Sequence, residues 1–200
     1  MGITERRLRQ KEEVRAAILS SAWKMVKEEG WQALSIRKIA DAIEYSNPVI
    51  YSHFENKEAI QFEFIKEGFL KLGLRLKEAK AGKLRSCEQL EAMANAYWEF
   101  ALHNKEYYQI MFGLGIPACE TVNQISEMKA LSNEMISSIQ EAISLSNKPD
   151  TDYFLKFHTY WSILHGIVSI QMIEKDDRPE VTKKLILQDA VDGFIKALVH

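Results

Sequence analysis

Residues 45–60 read YSNPVIYSHFENKEAI. Within them Tyr51, Ser52 and His53 stand in a row, with Ser46 and Asn47 before and Asn56 and Lys57 after. Hydroxyls, an amide, an imidazole and an ammonium so closely spaced can hydrogen-bond base edges and phosphate oxygens. A core helix has no use for them. Two other constellations hold residue types suited to proton transfer or metal binding: Glu99 and His103 at i and i+4, and His158 and His165 at i and i+7, each pair sharing a helix face. No HExxH, paired Glu-x-x-His, phosphate loop or nucleophile elbow accompanies them. An enzyme is therefore not expected, nor is a metal or cofactor. Cys87 and Cys119 lack metal-ligand spacing and read as free thiols of a reducing cytoplasm.

The chain that must position these groups has 200 residues, a net charge of −2, 46% hydrophobic and 27% charged residues. That is enough to bury a core and too apolar for disorder. No run of eighteen apolar residues exists, so no membrane span is expected, and the charged N-terminal stretch does not read as a signal peptide. The charge is uneven. Residues 1–27 hold seven basic and three acidic groups, a net of +4, which leaves −6 for the rest. A basic end on an acidic body points to a local anionic partner.

Helical periodicity dominates. Val14, Ala17, Ile18, Ala22, Met25 and Val26 mark one face of a first helix that Gly30 ends. Ser35 is a candidate N-cap for a second, with Ile36, Ile39, Ala40 and Ile43 as its stripe. Ser46 or Asn47 can cap a third, with Pro48 in its first turn. Asn56 opens a fourth over 57–80, and further helices are predicted at 87–104, 105–112, about 117–145, 150–174 and 179–198. The expected class is all-α with about nine helices: a helix-turn-helix domain over 1–56 and a helical ligand-binding and dimerisation domain over 57–200.

On the third helix Ile50 and Phe54 lie one turn apart and can face the core. Asn47, Pro48, Tyr51 and Ser52 face elsewhere, Val49 can touch a thymine methyl, and His53 and Lys57 flank the face. The stretch ALSIRKIADAIEYSNPVIYSHFENKEAI, residues 33–60, resembles the DNA-binding domain of tetracycline-repressor (TetR) family regulators. The ordered match runs through Ser35, Ile39-Ala40, the Ser46 and Pro48 start, Ile50-Tyr51, His53-Phe54 and the Asn-Lys-Glu opening at 56–58. The resemblance implies that Ser35 bonds a phosphate, that Asn47, Pro48 and Val49 face bases, and that Tyr51, His53 and Lys57 hold the backbone. Ser46 and Ser52 belong to the same surface, and Arg37 and Lys38 can add phosphate contacts. Glu44 departs from the family, which places Gly in the turn. A non-Gly residue in a left-handed conformation costs ~1 kcal/mol or more.

The predicted helix over 150–174 is apolar all round, so it is covered all round. Ser162, Gly166 and Ser169 form a small-residue seam on it. That helix and the last one are the expected two-fold interface, and the resemblance implies the same four-helix packing. A dimer would place its reading helices about 34–36 Å apart on a near-palindromic operator. The sequences YWSILHGIVSI and AYWEFALHNKEYYQIMFG resemble a TetR subgroup marked by Trp-x3-His-Gly, here Trp161, His165 and Gly166. Tyr97, Trp98, His103, Tyr107, Met111, Phe112, Met128, Trp161 and His165 can together line a pocket, although an aromatic-rich core accounts for any one of them. The expected function is a cytoplasmic, ligand-responsive regulator. The resemblance implies a repressor, released from double-stranded operator DNA by a small apolar or amphipathic effector. The competing readings are a helical adaptor or small-molecule binder without DNA binding and, after it, an all-α enzyme.

Overall fold

In a computed structural model the described residues are 2–113, 125–173 and 179–199. They form nine helices and no strand: α1 Ile3–Glu29, α2 Ile36–Ala42, α3 Asn47–Tyr51, α4 Lys57–Lys80, α5 Ser86–His103, α6 Lys105–Phe112, α7 Ser126–Ser144, α8 Tyr153–Ile173 and α9 Glu180–Val199. A 3-10 turn, Trp31–Ala33, follows α1. The all-α class is as expected. The predicted start of the seventh helix, 117–124, lies outside the described residues, as do Cys119 and 174–178. No described helix is long and apolar enough to cross a membrane.

The helices group into two compact units. One runs to Ile65 and takes in α6 from Glu106; the other holds Lys66–Lys105 with α7, α8 and α9. The continuous helix α4 contributes to both. In the first unit, Ile18 and Ala22 of α1, Ile39 of α2, Ile50 of α3 and Ile60 of α4 are all fully buried. Burying each of the isoleucines is worth ~1.5–3 kcal/mol. Gly30, at φ +82°, closes α1 by donating to the Val26 carbonyl at 2.8 Å.

An aromatic cluster then fastens α6 to α1 within this unit. Trp23 lies 4.2 Å from Tyr107 and 5.3 Å from Phe64, and Trp31 lies 5.6 Å from Phe64, centroid to centroid. Trp31 Nε1 donates to the Glu106 carbonyl and Lys27 Nζ reaches the Glu106 carboxylate, each at 2.8 Å.

In the second unit α5 buries Leu90, Met93, Tyr97 and Trp98. The buried Tyr160 hydroxyl of α8 donates to the Leu90 carbonyl at 2.6 Å, and the Ser138 hydroxyl of α7 donates to Gln89 Oε1 at 2.6 Å. These bonds give the packing a fixed register where apolar contacts alone would tolerate sliding. The Tyr160 hydroxyl is pushed well above its usual range, chiefly by burial, so it stays a proton donor. α8 buries Phe157, Tyr160, Leu164 and Val168, spaced three and four apart, while Phe154, Leu155 and Ile170 on its other side are exposed.

Candidate nucleic-acid interface

The pair α2 and α3 is built from one buried stripe each and one sharp turn. α2 turns Ile39 and Ala40 inward. Its end is closed by two backbone bonds: Tyr45 N–H to the Ala40 carbonyl at 3.0 Å and Glu44 N–H to the Asp41 carbonyl at 3.3 Å. That pattern requires a left-handed residue between them. Glu44 takes the position at φ +58°, and no other described non-glycine residue has a positive φ. The strain expected at Glu44 is therefore present.

α3 is short, yet helical bonding continues past Tyr51. Ser52 N–H donates to the Pro48 carbonyl at 3.1 Å and Phe54 N–H to that of Ile50 at 3.0 Å. Ile50 and Phe54 are the buried anchors, as their spacing predicts. The opposite face presents Ser46, Asn47, Pro48, Tyr51 and Ser52 to solvent, with Val49, His53 and Lys57 half-buried at its edges. Tyr51 is 54% exposed.

Ser35 and Ser46 occupy the residues just before α2 and α3 with extended backbones, but neither hydroxyl caps its helix. Both remain available to an outside partner. The Ser52 hydroxyl instead donates to the Val49 carbonyl at 2.7 Å. Asn56 Oδ1 accepts from Ala59 N–H at 2.8 Å and so caps α4, leaving Lys57 as its first residue.

The flanking cations differ in their commitments. Arg37 lies 4.0 Å from Asp41 with both side chains largely in water, a pair worth little. Lys38 contacts Glu29 at 2.7 Å, which ties α2 to the end of α1 and competes with any phosphate. His53 is drawn towards α1. Its pKa is lowered by burial and then by the charges of Lys11 and Arg15, and its Nδ1 is buried without a hydrogen-bond partner. Arg15 itself lies over the Phe54 ring at 5.0 Å and pairs with Glu63 at 2.8 Å. Lys11, Arg15 and the 43%-exposed Tyr45 were not singled out as site residues from sequence. For Lys11 and Arg15 the available signal was the basic charge of residues 1–27; for Tyr45 there was none beyond its place in the turn.

The residues expected to line a pocket are divided. Tyr107, Met111 and Phe112 belong to the first unit, where Tyr107 packs on Trp23. The other six lie in the second. There Tyr97 and Trp98 are fully buried, and Trp98 Nε1 has no hydrogen-bond partner. Met128, Trp161 and His165 are half-buried, the last two with ring centroids 6.5 Å apart. Burial lowers the His165 pKa. His103 is largely exposed and lines a cleft of about 590 Å³ between α4 and α5 with Arg75, Glu78, Glu99 and Asn104. A second groove, of about 320 Å³ between α4 and α7, has Phe69, Leu70, Gly73, Leu74 and Ala130 in its walls and Lys77 beside them.

A helix-turn-helix with a polar, outward reading face, joined through one long helix to a larger helical unit, is the architecture of a one-component regulator. Residues 18–75 match the family model of bacterial regulatory proteins, tetR family, and residues 90–184 match that of the tetracyclin repressor-like C-terminal domain. The chain belongs to the TetR family. It is 24% identical over 102 residues to the HTH-type transcriptional activator FasR of Mycolicibacterium smegmatis, a match covering 51% of this chain and 47% of that one. The chain thus spans about half the length of that relative. Among solved structures it resembles a protein of unknown function from Rhodococcus sp. RHA1, at TM-score 0.75 and 22% identity over 93% of this chain and 95% of that one. It also resembles the fatty acid degradation regulator FadR of Bacillus halodurans, at TM-score 0.67 and 16% identity over 92% and 94%. At these identities the likeness is one of fold.

Proposed function

We propose that the protein is a transcriptional regulator that binds a near-palindromic operator as a homodimer and is released by a small apolar or amphipathic effector. One observation carries the DNA reading. Ile50 and Phe54 are buried, and this anchors α3 so that Asn47, Val49 and Tyr51 lie on its outer face, at major-groove reach. Ser35, Tyr51, His53 and Lys57 are then the phosphate contacts, with Arg37 and Lys38 secondary.

The homodimer is supported by α8 and α9. Their exposed apolar residues include Phe154, Leu155, Val181 and Leu185. Gly166 and Gly193 have open space where a side chain would stand, which allows a partner helix to approach closely. The effector reading is supported by the groove between α4 and α7, whose volume and apolar walls suit a small ligand with one polar end near Lys77. A ligand that fits one arrangement of α4 better than another shifts the population towards it. Repression is the family's common mode and is part of the same proposal, as is action in the cytoplasm, where the DNA lies.

Lys57→Ala tests the reading head. A duplex is first recovered from a random-sequence pool by the parent protein, and binding is then followed by fluorescence anisotropy against salt. The variant should bind all sequences more weakly and lower the salt slope by about 0.9 per subunit. Unchanged binding across salt removes the phosphate role of Lys57. Failure of the parent to recover any duplex favours an adaptor without DNA binding, a reading to which the strained turn at Glu44 lends some support.

A further inference from the structure

α1 is longer than its packing requires. Its buried stripe, Ile18, Ala22 and Met25, covers only the C-terminal half. Residues 4–13 are exposed on every side, yet the helix continues to Ile3. An unpacked helical extension is normally paid for by something it contacts.

The extension does not simply scatter its charges. At 100° per residue, Arg7 and Lys11 lie about 20° either side of the direction of Ile18. The face that is apolar where α1 packs is thus cationic where α1 has nothing beneath it. Neither Arg7 nor Lys11 makes an ion pair among the described residues, whereas Arg9, which points away, lies 3.8 Å from Glu13. Arg6 and Arg9 stand about 120° and 180° from the stripe.

The stripe leads to the reading surface. Arg15, one turn on from Lys11, lies over the Phe54 ring at 5.0 Å, beside His53, whose N–H donates to the Ile50 carbonyl of α3 at 3.0 Å; the charges of Lys11 and Arg15 both act on the His53 imidazole. Arg15 is already neutralised by Glu63 at 2.8 Å. Lys11 and, one turn further out, Arg7 are not. Two cations without an ion pair, on the stripe that runs on to Arg15, call for an anion on the same side. From Lys11 to Ile3 the extension runs about 12 Å at 1.5 Å per residue, the length of three to four base pairs at about 3.4 Å each.

We propose that the N-terminal turns of α1 form a second DNA-contact element, in which Arg7 and Lys11 bind backbone phosphates flanking the half-site that α3 reads. This rests on the DNA-binding function above and extends it to residues outside the helix-turn-helix. The extension adds affinity without sequence information, since phosphates carry none.

The test compares the parent, Arg7→Ala/Lys11→Ala and Arg6→Ala/Arg9→Ala on the duplex recovered by the parent. That duplex is used with five extra base pairs on each side and again trimmed to the two half-sites. On the extended duplex the stripe variant should lower the salt slope by about 1.8 per subunit. Between 50 and 200 mM salt the parent's affinity then falls about 12-fold more per subunit than the variant's. The off-stripe variant should change the slope by less than half as much, and on the trimmed duplex parent and stripe variant should converge. An unchanged slope in the stripe variant overturns the proposal, and so do equal losses in the two variants, which would mean unoriented charge. Either result leaves the reading head intact, because Lys57→Ala reports on it separately. If the parent recovers no duplex, both fall together.

Discussion

Glu44 is the residue at which the chain accepts local strain. Its φ of +58° is imposed by the double bond pattern that ends α2 and starts the turn into α3. A side chain in that conformation costs ~1–2 kcal/mol, part of which a glycine would return through its freer unfolded state. Glu44→Gly should therefore stabilise the protein by ~1 kcal/mol, a rise in Tm of about 2–4 °C for a chain of this size. It should also tighten operator binding, since a carboxylate leaves the neighbourhood of the phosphates. A fall in Tm on thermal denaturation would show that the turn does not hold this conformation. The departure from Gly was legible in the sequence because the surrounding motif set the frame. The conformation itself was set by the two backbone bonds to Ala40 and Asp41.

α6 shows the difference between an element's existence and its allegiance. Its bounds follow from the sequence: Asn104 breaks the helix before it and Gly113, at φ +65°, follows it. Its place in the first unit does not, since Tyr107 reads equally as a pocket wall or a core ring. Packing assigns it to Trp23, with Trp31 and Lys27 gripping Glu106. Tyr107→Ala should cost ~3 kcal/mol, in the range for losing a buried aromatic side chain, and the loss should appear in the denaturant midpoint. A change under ~1 kcal/mol would mean that the cluster does not hold α6. The same contrast applies to α1. Its stripe is visible from Val14 onward, but the point where burial stops and cations take over the stripe is a property of what lies beneath the helix.

For the whole molecule, the proposed homodimer rests on α8 and α9. Burying one side of α8 within the chain leaves Phe154 and Leu155 57% and 61% exposed, the face that the proposed dimer covers. Phe154→Lys/Leu155→Glu should convert a sedimenting dimer to monomer at micromolar concentration. The near-palindromic operator should then be bound with a salt slope about half that of the parent, since each subunit supplies its own phosphate contacts. A parent that sediments as a monomer removes the dimer outright. The all-α class, the helix count, the anchors Ile50 and Phe54 and the outward face of α3 were determined by the sequence alone, because they rest on periodicity and turn chemistry within a few residues. Tertiary structure alone decided that α6 joins the first unit and that Arg15 lies over the Phe54 ring and pairs with Glu63. These depend on contacts between residues far apart in the chain, and no local pattern encodes which distant side chain fills the space.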